Sequence, residues 1–316
     1  MAVSTVATPT RAAARSRGRS GAALYRKWWV PWAWVLPAIA AAVVFGVFPF
    51  FNTLLLSFTN AKPLGGPSAF VGLTNYRNLL ADPDFWSATW NSVEYALVVV
   101  PLMVMLPLLL AVLVEKKIPF IGFFRAAFYA PVLASIIVVG YSWQWMLSDE
   151  GILNTLMIKT HLISQPISYL SNPTLVLYSA MAMTVWKGLG WYMVIYLAAL
   201  GNVPKELHEA ASCDGAGAAR RFRHITVPGV RPSMLLVGVL TGIGSLRVFT
   251  EIYMLGGPTG GPGGLDRTLP FYIRDVGLDP LSGNAGYGSA ASVALFLLTI
   301  GLTLLGLRLS RGEGRA

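Results

Sequence analysis

Residues 209–232 read EAASCDGAGAARRFRHITVPGVRP, a long polar segment between apolar runs, with a pattern of its own. Pro204 suits the first turn of a helix, and Glu206 and Glu209 are acids where a helix N-terminus favours them. Gly215 after Asp214 is a natural stop, so a short helix is expected over 204–214. A second helical piece is expected over 216–227, carrying Arg220, Arg221 and Arg223 and ended by Pro228. Ala210 and Ala211 add almost no bulk, so such a helix can sit deep in a groove, and Gly215 permits a sharp turn that a side chain obstructs. On charge alone, the stretch reads as an ordinary loop between two membrane spans.

The rest of the chain is strongly apolar. Of 316 residues, 55% are hydrophobic and 12% charged, and the mean hydropathy is +0.60. Those values exclude a disordered chain and point to a polytopic membrane protein. Runs of roughly 20 apolar residues predict six spans, at 32–58, 92–114, 126–147, 175–200, 234–255 and 288–309. The expected fold class is therefore all-α, with six transmembrane helices. Pro37, Pro49, Pro101, Pro107 and Pro131 fall in or near these runs and predict kinks, which neighbouring helices can accommodate. Residues 1–27 contain no acid and no apolar period, so they read as a flexible basic tail. The apolar run that follows is too long for a signal-peptide core and is expected to stay as a membrane helix. A single cysteine, Cys213, excludes a disulfide framework within the chain.

Basic residues set the expected orientation. Arg11, Arg15, Arg17, Arg19, Arg26, Lys27, Lys116, Lys117, Arg125, Lys205, Arg220, Arg221, Arg223, Arg231, Arg308, Arg311 and Arg315 make 17 of the 24 and fall on one side. Lys62, Arg77, Lys159, Arg267 and Arg274 fall on the other. The excess predicts cytoplasmic termini and a cytoplasmic 209–232 segment, with Trp28, Trp29, Trp32 and Trp34 as an inner-face aromatic belt. It also explains the net charge of +10 without a nucleic-acid partner. Membrane lipid is the expected contact.

Glu209-Ala210-Ala211, then Gly215, then Ile225 with Pro228 three residues on, resembles the EAA loop of the membrane subunits of bacterial ATP-binding cassette importers. Further markers follow in order: Phe70-Val71-Gly72-Leu73-Thr74-Asn75-Tyr76, Gly122-Phe123-Phe124-Arg125, Val185-Trp186-Lys187-Gly188 and Gly256-Gly257-Pro258. Together they resemble the permeases of the sugar and glycerol-phosphate type over nearly everything but the tail. Val227 replaces the usual Leu, and Cys213 a larger aliphatic residue. The resemblance implies a permease domain over 28–316 with a coupling loop at 201–232, in a bacterial cytoplasmic membrane. It also implies that Glu209, Ala210, Ala211, Asp214, Gly215, Ile225 and Pro228 couple the chain to ATPase subunits. The implied partners are a second, homologous permease, two ATP-binding cassette subunits that bind ATP and Mg, an extracytoplasmic solute-binding protein and a sugar. Another small solute, such as a polyol, glycerol phosphate or amino acid, is the alternative cargo, and a secondary transporter the rival class.

Charge within apolar runs costs at least about 2.5 to 3.5 kcal/mol per residue, so each such residue needs a partner, water or a route to the interface. Glu94 is expected to reach the interface. Arg247 and Glu251, four residues apart, would share a helical face as a structural ion pair or line the solute path. Lys187 sits among Trp186, Trp191 and Tyr192, which either stack on a sugar ring or serve as packing and interface anchors. Gly238 and Gly242 predict a close helix neighbour. The run GGPTGGPGG at 256–264 lacks the Lys and Ser or Thr of a phosphate-binding loop, and reads instead as glycine turns at the outer face. No nucleophile motif or metal-ligand spacing occurs, so neither a catalytic nor a metal site, and no cofactor in this chain, is expected.

Overall fold

The computed structural model describes residues 29–115, 119–280 and 282–311. The expected tail, Trp28, Lys116, Lys117 and Arg315 lie outside them. Among the described residues the structure is helical, with one isolated bridge between Thr59 and Phe70. Backbone contacts divide the chain into two units, 1–52 and 53–316. The described part of the first is helical, within α1, Val30–Leu56, which includes a π segment at Val43–Val47.

In the second unit α2 (Thr74–Ala81) leads to α3 (Pro83–Glu115), and α4 (Ile121–Leu133) to α5 (Ile136–Leu147) and α6 (Ile152–Lys159). The long α7 (Pro173–Leu200) precedes the short α8 (Lys205–Cys213), after which α9 runs unbroken over Ala218–Leu246. Then come α10 (Thr250–Gly256), α11 (Leu269–Leu278) and α12 (Ala285–Arg311). Local chemistry accounts for several starts and stops. The Asn172 side chain accepts the N–H groups of Thr174 and Leu175 at 3.1 and 3.4 Å, with Pro173 beginning α7. At the far end of α3, Arg125 donates from Nε and Nη2 to the Val114 carbonyl at 3.1 and 2.7 Å, satisfying a group the helix leaves free.

The helix α3 packs along α7 and α9, α4 against α7, and α12 against α9 and α11. Tyr95, Val99, Met103, Met183 and Ile252 are buried in one core, and Leu108, Met193, Tyr196, Val230 and Val237 in a second. A third, of Leu79, Phe85, Leu269 and Tyr272, joins α2, the start of α3 and α11. The Tyr95 hydroxyl bonds the Ala180 carbonyl at 3.0 Å and Thr184 Oγ1 at 2.6 Å, tying α3 to α7. Gly242 is the expected close contact: a Cβ there would stand 2.6 Å from Cδ2 of Leu302 on α12. At Gly190 a Cβ would strike the Phe128 carbonyl, so α4 and α7 meet backbone to side.

Five described helices are long and apolar enough to cross a membrane, and the bent pair Ile121–Leu133 and Ile136–Lys159 makes a sixth. Three expectations need correction. The run at 126–147 is no single rod, because the chain turns by 98° at Ala134 and Ser135, which are extended. Pro131 has already removed one backbone donor there, and Ser135 is a residue type that favours a helix start. The run at 234–255 also breaks, with α9 ending at Leu246 and α10 beginning at Thr250. The Val248 carbonyl, freed by this break, accepts the Thr268 hydroxyl at 2.7 Å. Finally, Pro228 does not end a helix. A π segment at Phe222–Thr226 widens the turn just before it, so the helix passes through and continues to Leu246.

Candidate functional site

The helix α8 begins after Pro204, which is its N-cap rather than part of its first turn. Its end is a Schellman turn: Gly215 N–H reaches the Ser212 carbonyl at 3.1 Å and Ala216 N–H the Ala211 carbonyl at 2.8 Å. Gly215 holds φ +76° with open space where a side chain would stand. Most of α8 is exposed, with only His208 and Ala211 half-buried, and Glu206, Glu209, Ala210 and Cys213 fall at the i, i+3, i+4, i+7 spacing of one helical face. Ile225 and Pro228 stand apart from that face. They line a groove of about 490 Å³ with Val203, Pro204, Leu207 and Gly229. The predicted set is thus split: Glu209, Ala210, Asp214 and Gly215 are exposed on α8 and its turn, Ala211 is half-buried, and Ile225 and the exposed Pro228 line the groove behind α8. Arg221 reaches the Ser212 hydroxyl and ties the start of α9 to α8. The π segment and the unbroken α9 then connect this surface to the membrane-spanning core.

Deeper in the helices, the structure separates residues that sequence spacing had grouped. Because α9 ends at Leu246, Arg247 and Glu251 do not share a helical face, and no ion pair joins them among the described residues. Arg247 is exposed. Lys187 Nζ donates to the Val132 carbonyl at 3.3 Å. Trp186 meets Trp143 of α5 with ring centroids 5.9 Å apart, and Tyr192 packs against both large cores. Trp191 is exposed; five residues from Trp186, it lies roughly 140° around the helix, so the two indoles do not converge. Glu94 accepts the Tyr178 hydroxyl at 2.7 Å.

At the other end of α7 and α9, the glycine run forms a compact turn, with φ between +65° and +85° at Gly257, Gly260, Gly261, Gly263 and Gly264. Sequence reasoning overlooked the polar framework around it. Asp82 Oδ2 accepts the hydroxyls of Tyr272 and Tyr287 at 2.5 and 3.0 Å. Burial pushes that carboxyl up, but the two hydroxyls and the N–H groups of Asp84 and Phe85 outweigh it and hold Asp82 below the usual carboxylate range. Arg267 pairs with Asp84 at 3.3 Å and Asp275 at 3.7 Å, and Arg274 pairs with Asp275 at 2.6 Å while lying over the Phe271 ring. Asp266 is 3% exposed, and its Oδ2 has no hydrogen-bond partner. Burial pushes it up to about 7. An acid two residues after a glycine run was the available signal.

A family model described as binding-protein-dependent transport system inner membrane component matches residues 83–312. The chain is 32% identical over 296 residues to the arabinooligosaccharides transport system permease protein AraP of Bacillus subtilis (strain 168), covering 92% of each. It is 31% identical to the lactose transport system permease protein LacF of Rhizobium radiobacter, over 87% of this chain and 91% of that one. Identity to the trehalose/maltose transport system permease protein MalF of Thermococcus litoralis is 30%, over 91% and 95%. A chain of a bacterial alginate ABC transporter, solved in complex with a periplasmic protein carrying an alginate pentasaccharide, shares the fold with a TM-score of 0.80. It covers 95% of this chain and 99% of that one, at 21% identity. The three relatives named from curated proteins are permease proteins of transport systems. On the family match over most of its length, the chain belongs to the binding-protein-dependent transport system inner membrane components.

Proposed function

We propose that this permease forms half of the membrane pathway of an ATP-driven sugar importer, working with a second, related permease. Two separate ATPase subunits bind and hydrolyse ATP with Mg, and an extracytoplasmic binding protein delivers the solute. The observation that carries the coupling role is the exposed face of Glu206, Glu209, Ala210 and Cys213 on α8, backed by a helix that runs from Ala218 to Leu246 without interruption. A short helix with a small, exposed centre can seat in a partner's cleft. Its displacement then passes along α9, because a helix transmits an axial push better than a loop. The charge asymmetry supports a cytoplasmic α8, and an outer position for the glycine turn. A carbohydrate cargo is supported by relatives named for arabinooligosaccharides, lactose and trehalose or maltose.

Replacing Gly215 by Arg tests the coupling. The substitution puts a bulky cation on the exposed turn, at a φ that L-residues avoid. We expect the reconstituted complex to lose solute-stimulated ATP hydrolysis while the variant still inserts into the membrane. Unchanged stimulation and unchanged assembly would overturn the role of α8.

A further inference from the structure

Gly238 and Gly242 on α9 and Gly301 and Gly306 on α12 serve two different ends. At Gly242 and Gly306 the missing side chain admits a neighbour, since Leu302 and Val239 stand 2.6 Å from where a Cβ would be. At Gly238 the nearest atom is Cγ2 of Val104, at an ordinary 3.6 Å, and at Gly301 nothing lies within 4 Å. A glycine inside a helix is a loss against alanine unless the space it leaves is used. Among the described residues, no side chain uses the space at Gly301.

That space belongs to a furrow. The helices α3 and α12 both pack along α9, and between them lie two cavities of about 510 and 400 Å³ that share Val100, Leu302 and Leu305 in their walls. Gly301 lines the first and Gly238 the second. From Val93 to Val104, the furrow follows α3 for about 16 Å. That is close to one leaflet of a hydrocarbon core roughly 30 Å thick. A helix lying along the same length would fill on the order of 1,300 Å³, more than twice either cavity, so the furrow suits a narrower occupant.

Its walls are apolar except at one end. Val227, Arg231, Met234, Leu235, Gly238 and Gly242 recur at the spacing of a single face of α9, and Arg231 is the one charged residue among the described residues lining the furrow. Because Gly242 meets Leu302 and Gly306 meets Val239, α9 and α12 run antiparallel, which brings the exposed Arg308 to the same end as Arg231. A guanidinium at the mouth of an apolar furrow one leaflet deep matches both parts of an anionic phospholipid, because its planar donors fit a phosphate and the furrow fits an acyl chain. We propose that the furrow between α3, α9 and α12 binds an anionic phospholipid, with one acyl chain along Gly301 and Gly238 and the phosphate at Arg231. With α8 on the cytoplasmic side, the lipid belongs to the inner leaflet, where basic pockets between membrane helices take such head groups. The site itself does not depend on the transport reading.

The test titrates the full chain, purified in mild detergent, with phosphatidylglycerol or with phosphatidylcholine of the same acyl chains, and follows the midpoint of thermal unfolding. Phosphatidylglycerol is expected to raise the midpoint at a concentration about fivefold lower than phosphatidylcholine. Arg231→Gln is expected to remove that preference. Gly301→Leu fills the furrow, with nothing within 4 Å of its Cβ to oppose it, and is expected to abolish the response to both lipids. Equal responses of the unaltered chain to the two lipids, or a full response in Gly301→Leu, would overturn the site. Two measurements do not depend on how these variants fold. Mass spectrometry of the unaltered chain released from native membranes is expected to find phosphatidylglycerol or another anionic phospholipid enriched over the bulk membrane, and no enrichment counts against the proposal. In those membranes Gly301→Cys, with Cys213→Ser removing the only natural cysteine, is expected to form no bismaleimide crosslink to another protein; a crosslink would assign the furrow to a partner's helix. Either failure leaves the coupling role of α8 untouched, and loss of that coupling leaves the lipid site untouched.

Discussion

At the glycine-loop end, connections far apart in sequence are cross-braced by side chains. Asn75 Nδ2 donates to the Ser57 and Thr59 carbonyls, both at 2.8 Å, Asp82 collects two tyrosine hydroxyls, and Arg267 spans from Asp84 to Asp275. At the α8 end the bonds are local. Asn202 bonds the Ala198 carbonyl, Ser212 that of His208 and His224 that of Arg220, while Arg221 reaches only as far back as Ser212. The first arrangement resists any relative movement of its parts. The second holds α8 by bonds to its near neighbours in the chain, with α9 running on from it as a stiff helix. A chain that receives displacement at one end and must keep its shape at the other needs this asymmetry.

The comparison breaks most readily at Asn75. That side chain is buried, so Asn75→Ala leaves two carbonyls without their donor, each costing about 1 to 3 kcal/mol. Thermal unfolding in detergent is expected to show a loss of about 3 kcal/mol. Ser212→Ala, the corresponding deletion at the α8 end, should stay within about 0.5 kcal/mol, because Ser212 is exposed, its carbonyl partner is already in a helix, and the Arg221 bond it also loses lies at the surface. Equal losses at the two positions would abolish the distinction.

Titration sharpens it at the same end. Asp266 holds its proton up to about pH 7 in the folded chain, whereas an unfolded aspartate releases it near pH 4 by the usual reference value. The folded state therefore binds more protons over that window, and stability falls as pH rises through it, then levels above about 7. Asp82 has the opposite sign: its lowered value contributes stability that is lost only as pH drops below the carboxylate range. Asp266→Asn should flatten the decline and gain about 2 kcal/mol at pH 8, less than the full shift because an amide there is still buried without a partner. A decline that persists in the variant would assign it to another group.

How much of this was legible in the sequence varied by element. The α8 helix and its stop were legible because capping and glycine conformation are local, and the contact at Gly242 because small residues at helical spacing have one common use. The six apolar runs were legible too, and Pro131 marked a kink in the third, but the size of the 98° turn there and the break at Arg247–Phe249 were not. Hydropathy measures the solvent a segment prefers, and a broken helix prefers the same solvent as a straight one. Pro228 misled for a related reason, since a π turn beside it absorbs the missing donor. The partner of Lys187 was out of reach, because it is a backbone carbonyl 55 residues earlier in the chain.

The smallest expected effect falls on the surface that the proposed coupling uses. Glu209 is exposed, in the middle of α8, and no hydrogen bond or ion pair involves its side chain among the described residues. Replacing it by Ala trades a good helix former for a slightly better one and removes an acid that lies too far from the first turn to gain much from the helix dipole. The two effects oppose each other, so stability should change by less than about 0.5 kcal/mol. Glu206, in the first turn, should lose somewhat more on the same change, about 0.3 to 1 kcal/mol at low salt. Thermal unfolding of both variants separates the contributions of position and contact. If Glu209→Ala instead costs as much as Asn75→Ala, then α8 is held by its own chain, and its exposed face is not free to bind a partner.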